Sequence, residues 1–359
     1  MSVGSSAERR TTSLVRRSPR SALVILAAAC AFAVILSVGI GSVAIAPTRV
    51  IEVVTSHLWP WSSGSSTGLE DRIVWEFRLP RALLALVVGA ALAVAGAVLQ
   101  AVVRNPLADP FVFGVSSGAS VAAVAALTVT SGALAAVSTP AAAFVGALVT
   151  TLAVFLLAQQ NGRVTPNRLV LAGVAVSYLL SSVTSYLVLR SSAANQGVSG
   201  VLSWLAGSLA AATWSDLGIP AAVLVLATVL LVLLAPVLNA FLTGDETAAS
   251  MGVDVGRVRL VLFVITSLLV GTVVAVSGAI GFVGLVVPHA VRMVLGSDHR
   301  WVVIGSALAG GLLLVVVDIA ARTLLAPTEV PVGLLTSIVG APFFLWLLRG
   351  SGRPEAVGA

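Results

Sequence analysis

Residues able to do chemistry are few in this sequence, and none of them is spaced for catalysis. His289 follows Pro288 inside an apolar run, without an H-E-x-x-H pattern or clustered carboxylates, so it reads as structural and not as a metal ligand. Cys30 is the only cysteine, which rules out a disulfide within the chain and argues against a metal cluster. No nucleophile is paired with a base. A phosphate-binding G-x-x-x-x-G-K-[ST] loop needs lysine, yet all 20 basic residues are Arg, so ATP hydrolysis would have to come from another polypeptide. The sequence therefore assigns no catalytic residue, no cofactor and no metal site.

The polar groups that remain cluster at a few points. In RNPLADPFVFGVSSGAS (104–120), Asn105-Pro106 and Asp109-Pro110 each pair a capping side chain with a proline, the combination that starts a helix. Two starts so close predict a short re-entrant turn before the next span, and Gly114 and Gly118 predict a close helix contact. This is either a capped connection or a gate. In TGDETAASMGVDVGRVR (243–259), Asp245 and Glu246 suit a helix N-terminus, Gly252 can end that helix after Met251, and Asp254 can cap a second short helix. That segment is either a solvated connector or a docking element. Ser177, Ser181, Thr184 and Ser185 recur at helical spacing and either bond their own backbone or line a path. Asp318 and Arg322 stand four apart and are able to pair.

The elements that must position these groups are set by composition. The chain has 359 residues, 58% of them hydrophobic and 9% charged, and a mean hydropathy of +1.09, which no soluble domain tolerates on its surface. The fold class is all-α, a polytopic membrane protein. Apolar runs of spanning length fall near 21–46, 82–103, 111–130, 134–158, 168–189, 217–242, 258–279, 280–296, 302–325 and 332–348, with the junction near 280 the hardest to place. The first run follows an arginine-rich tail and continues well past Cys30, so it reads as a retained helix more than as a signal peptide. Residues 1–20 and 350–359 form tails around a membrane domain over 21–349.

Arginine sets the orientation. With the N-terminus in the cytoplasm, fourteen arginines fall on inner segments, among them Arg9, Arg10, Arg104, Arg257 and Arg259, and six on outer ones: Arg49, Arg72, Arg78, Arg81, Arg190 and Arg322. That distribution obeys the positive-inside rule, and both termini are then cytoplasmic. The pI near 11.1 reflects orientation in the bilayer of a cell membrane and calls for no nucleic acid. Residues 197–216, with Trp204 and Trp214, read as a short interfacial helix.

One internal repeat is visible. GAALAVAGA (89–97) aligns without gaps to GTVVAVSGA (271–279), with Pro106 matching Pro288 beyond it. These copies lie five crossings apart and would run in opposite directions, an inverted-topology repeat with halves near 78–190 and 257–349. Such repeats suit ion-coupled carriers as well, but the acids of this chain fall near helix ends or in loops and not at mid-membrane.

RLPRALLALVVGAALAVAGAVLQAVVRNPLADPFVFGVSSGA (78–119), LVLAGVAVS (169–177), the segment 243–259, GAIGFVGLVVPHAVRMVLGSDHR (278–300), DIAARTL (318–324) and PVGLLTSIVGAPFFLWLL (331–348) together resemble the FecCD or BtuC-like permeases of ATP-driven importers for vitamin B12 and ferric siderophores. The resemblance implies a homodimer or paired heterodimer of ten-helix subunits, two cytoplasmic ABC ATPases and an extracytoplasmic substrate-binding protein. The implied cargo is a ferric-siderophore complex, with haem or cobalamin as the alternative. It further implies ATPase coupling at Gly244, Asp245, Glu246, Ala248, Ala249, Met251 and Gly252. A cytoplasmic gate is implied at Asn105, Leu107, Thr165, Pro166 and Asn167, with Arg104 outside the constriction, and a pathway beside the fifth span. By the same resemblance Arg78, Arg81 and Arg322 receive acidic residues of the binding protein, the alternative being that they reach to lipid phosphates.

Overall fold

The computed structural model describes residues 18–41, 44–58, 68–128, 137–160, 163–193 and 198–350. Of the expected tails 1–20 and 350–359, residues 1–17 and 351–359 lie outside the described residues, while Pro19, Arg20 and Gly350 belong to helices. The chain is helical almost throughout. Its first half comprises α1 (Pro19–Gly39), α2 (Pro47–Leu58), α3 (Leu69–Arg72), which runs through a π-helical turn into α4 (Leu79–Val103), then α5 (Val115–Thr128), α6 (Thr139–Ala158) and α7 (Pro166–Ala193). A two-stranded antiparallel hairpin, β1 (Gln159–Gln160) and β2 (Arg163–Val164), links α6 to α7. There follow α8 (Val198–Leu205), α9 (Gly218–Leu233), α10 (Ala235–Leu242), α11 (Asp245–Ser250), α12 (Val255–Ser277), α13 (Val283–Leu295), α14 (His299–Thr323) and α15 (Val332–Gly350).

Seven helical segments are long and apolar enough to cross a bilayer, and α5, α13 and α15 are shorter apolar helices. These ten fall on the ten expected runs, with four local differences. The expected span 217–242 divides at Leu234, because Pro236 in the first turn of α10 has no N–H to continue the ladder of α9. Near 280 the chain breaks between α12 and α13, with Gly278 and Phe282 both at positive φ. The first span ends at Gly39, and the chain then forms amphipathic α2, which the apolar-run reading passed over. Of the expected interfacial helix over 197–216, residue 197 lies outside the described residues, and 198–216 hold α8 and a separate turn at Trp214–Asp216, where Trp214 donates its indole N–H to the Trp75 carbonyl at 2.8 Å.

α4 is the centre of the molecule. It is apolar all round, which fits a helix enclosed on every side, and nearly all of its residues are buried. It packs against α13 and α14, while α12 packs against α5 and α6. α5 and α6 pair with each other as α13 and α14 do. Counted by order within each half, α12 is the counterpart of α4, α13 of α5 and α14 of α6, so the two halves exchange matching contacts as the 89–97 and 271–279 repeat anticipates. Small residues permit the approach: a Cβ on Gly96 would lie 2.0 Å from the Gly284 carbonyl oxygen, and one on Gly118 2.4 Å from that of Gly146. Gly96→Ala should therefore push α13 off α4 and cost about 1–3 kcal/mol, read as a lower thermal midpoint of the detergent-solubilised chain. α7 and α9 are by contrast mostly exposed, as helices facing lipid or another subunit must be.

Candidate functional site

The segment between α10 and α12 folds as a single helical turn held between two glycines. Gly244 precedes α11 at φ +112, a conformation that side chains rarely adopt, and Gly252 follows it at φ +84. Asp245 and Glu246 occupy the first turn of α11. Ala248 is buried, whereas Ala249 and the thioether of Met251 are exposed. The predicted second short helix is instead the first turn of α12, capped by Asp254, whose carboxylate accepts from the Arg257 N–H at 3.1 Å.

Asp245 is the hub of this end of the molecule. Both of its carboxylate oxygens lie 3.0 Å from Nη2 of Arg259, and one lies 3.7 Å from Nη2 of Arg104. Arg259 is buried on α12, lies over the Phe241 ring and donates to the Val164 carbonyl at 2.6 Å. One carboxylate thus joins α11 to the C-terminal end of α4 and, through Arg259, to the hairpin before α7. Arg104 was expected only outside the constriction, and Arg259 carried no expected role beyond its place on an inner segment. The available signal was that Arg259, Leu262, Thr266 and Leu269 share one helical face of α12, so a charged group had to be paired under the loop.

The expected gate residues sit beside this hub. Asn105 and Thr165 are exposed, and Leu107 and Pro166 are half-buried. No direct hydrogen bond joins Asn105 or Leu107 to Thr165, Pro166 or Asn167 among the described residues, but their neighbours Arg104 and Val164 both lead to Asp245. Asn105-Pro106 does not start a helix: the Asn105 side chain accepts from the Leu107 N–H at 2.9 Å and closes a turn. Asp109 caps a single 3₁₀ turn at Pro110–Phe113 by accepting from the Phe111 N–H at 2.8 Å. Desolvation pushes the half-buried Asp109 carboxyl up to about 6, opposed by that N–H.

Along α7, Ser185 bonds back to the Ser181 carbonyl and Thr184 to that of Leu180, each at 3.0 Å. Ser181 and Ser185 are exposed beside Tyr178 and Tyr186, whereas the Ser177 hydroxyl is buried without a hydrogen-bond partner. Thr184 and Ser185 thus bond their own helix, while Ser181 and Ser185 front an open face.

The opposite end carries the three arginines. Asp318, wholly buried, lies 2.9 Å from Arg81 and 3.1 Å from Arg322, so the predicted i,i+4 pair forms with a third member. Arg81 also meets Glu329 at 2.9 Å. Arg322 reaches the Ser37 and Ile40 carbonyls, and Arg78 those of Val38 and Gly39. Each guanidinium is thus mostly engaged within the chain, tying the ends of α1, α4 and α14 together. Among the described residues no group of three His, Cys, Asp or Glu side chains could hold a metal ion.

Residues 29–350 match the model of the FecCD transport family. The chain belongs to that family. Among FecCD relatives, the cobalamin import system permease protein BtuC of Halobacterium salinarum is 42% identical over 323 residues, covering 88% of this chain and 86% of the relative. The hemin transport system permease protein HmuU of Yersinia pestis is 43% identical over 279 residues, 77% and 83% of the two chains. A solved structure described as an inward-facing conformation of a metal-chelate type ABC transporter superposes with a TM-score of 0.78 at 28% identity, covering 92% of this chain and 99% of that one.

Proposed function

We propose that this FecCD chain is the membrane-spanning permease of an ATP-driven importer, working with separate cytoplasmic ABC ATPases, an extracytoplasmic binding protein and a second permease subunit. The match of residues 29–350 to the family carries this reading. The Asp245 end is taken as cytoplasmic, following the arginine distribution, and the Asp318 end as extracytoplasmic. The cargo is a ferric-siderophore complex; the similarity to cobalamin and hemin permeases makes those two chelates the competing cargoes. Purification of the native binding protein and mass spectrometry of its ligand decides among the three.

Coupling follows from the hub. α11 offers exposed Ala249 and Met251 to an ATPase groove, while Asp245 transmits any displacement of α11 to the loops at Asn105 and Thr165. Small Ala249 allows close seating and Met251 adapts to the groove. Ala249→Trp should block seating without impairing membrane insertion, since added volume at a packed helix surface is poorly accommodated. Co-purification of the ATPase checks this, and a complex that still assembles and transports places coupling elsewhere. Asn105→Ala or Leu107→Ala should leak cargo or uncouple ATP turnover in proteoliposomes, whereas unchanged tightness and coupling in both would leave the loop a plain connector.

Docking of the binding protein is assigned to Arg78, Arg81 and Arg322, three cations against Asp318 and Glu329. Because Glu329 is the exposed acid, an incoming carboxylate reaches Arg81 by replacing it. Glu329→Gln should therefore strengthen docking, and added salt should weaken the wild-type association. Surface plasmon resonance against the binding protein reads both, and indifference to both removes Arg81 from the interface.

A further inference from the structure

Beside the Asp245 hub lies a cavity of about 220 Å³, lined in part by Gln100, Arg104, Asn105, Arg292, Ser297 and His299. It is too small for a chelate cargo, since pockets for drug-sized ligands run to roughly 300–1,000 Å³. Two guanidiniums line it and no carboxylate does. Arg292 is oriented by Gln100, whose Oε1 accepts from it while Nε2 donates to the Ala108, Gly284 and Leu285 carbonyls. Arg292 enters no ion pair among the described residues. Arg104 is half-exposed and only loosely held by Asp245, at 3.7 Å.

His299, which lines the cavity, adds an independent feature. It is 1% exposed, and its Nε2 is buried without a hydrogen-bond partner. The other ring nitrogen is spoken for. Asn239 Nδ2 faces Asp298 Oδ1 at 3.0 Å, and a carboxylate only accepts, so Asn239 must turn its Oδ1 toward His299. That oxygen accepts from the His299 backbone N–H at 3.0 Å and from Nδ1 at 2.8 Å, which puts the ring proton on Nδ1. Nε2 of the neutral ring is then an acceptor. An unsatisfied acceptor on a residue lining the cavity, together with Arg292, which has no ion-pair partner among the described residues, and Arg104, which Asp245 holds only at 3.7 Å, calls for a ligand that is anionic and still carries an O–H.

We propose that this cavity binds a hydrogen phosphate group, with Arg104 and Arg292 on its charged oxygens and His299 Nε2 accepting from its P–O–H. Arginine suits such an oxyanion through its planar set of donors. Sulfate, which has no proton at neutral pH, leaves Nε2 unsatisfied and should bind less well. Arg104 serves both the cavity and Asp245, so occupancy draws it from the hub and loosens the tie between α4 and α11. The group comes either from free inorganic phosphate, as an ATPase on this side would release, or from the phosphomonoester headgroup of phosphatidic acid. This choice of source rests on the cytoplasmic placement of the Asp245 end; binding itself does not.

The test titrates the purified full-length chain, in detergent without added lipid, with inorganic phosphate and with sulfate at matched ionic strength and neutral pH, by calorimetry. Phosphate should bind at least about tenfold more tightly than sulfate. Arg292→Gln should weaken phosphate about tenfold or more. His299→Asn keeps an amide donor toward Asn239 and deletes the Nε2 position, so it should bring the two anions to near-equal affinity. Equal binding of phosphate and sulfate by the wild-type chain, or phosphate binding untouched by Arg292→Gln, overturns the proposal; the first comparison needs no variant to fold. In nanodiscs, displacement of bound phosphate by phosphatidic acid but not by phosphatidylglycerol identifies the headgroup, and no displacement identifies the free ion. Both results uphold the site.

Discussion

Asp318→Ala should destabilise the folded chain by about 3–5 kcal/mol, the cost of leaving buried cations without their acid. Asp318 is wholly buried between Arg81 and Arg322, and the side chain of Arg322 is only 7% exposed. The carboxylate holds the start of α4 and the end of α14 together, while Arg322 carries the same connection to the end of α1. Asp318→Asn preserves shape and one acceptor and should recover part of the loss. Replacing the set with apolar residues of similar volume, Arg81→Met, Asp318→Leu and Arg322→Met together, should cost less than Asp318→Ala, because none of the three buried charges is then left without its partner and Glu329, which loses Arg81, is exposed to water. Thermal unfolding of the detergent-solubilised chain ranks the three. An Asp318→Ala chain as stable as the wild type would mean that water reaches this end and screens the cluster.

The second large effect is on coupling. Arg259→Met removes the contacts of Arg259 with both Asp245 and Val164 and should reduce ATP-driven uptake by roughly tenfold or more while the ATPase still turns over, the signature of a lost connection between sites. Asp245→Asn should act in the same direction and more weakly, since the amide oxygen still accepts from Arg259. The double variant should lose less than the product of the two single losses, because residues that share one interaction are not additive. Losses that simply multiply would show that Asp245 and Arg259 act separately.

Much of this architecture was legible because bilayer thickness converts apolar run length into helix count, so each of the ten runs holds an apolar helix, one of them split in two. The close contact at Gly118 and the Asp318–Arg322 pair were also legible, the second because it depends on spacing within one helix, whereas Gly114 of the expected G-x-x-x-G pair lies before α5 at φ +80. The split at Leu234 could be seen only by letting Pro236 outweigh the hydropathy on either side of it. Amphipathic α2 was missed because it spans nothing and so leaves no long apolar run. The hub was half visible. The glycines and acids of α11 announce a helix start, but Arg259 meets Val164 across 95 residues, and nothing in the local sequence names that partner. The same limit hid His299, whose meaning depends on Asn239 from another helix.

Whether the chain moves cargo only when a separate ATPase drives it through the Asp245 hub is decided by cargo uptake into proteoliposomes. These contain the chain with its ATPase, and the loaded binding protein is added outside. Uptake should require ATP, fall to background with a hydrolysis-deficient ATPase, and fall with ATPase turnover retained when Arg259 is replaced by Met. Uptake driven by an ion gradient in the absence of ATP would contradict the account.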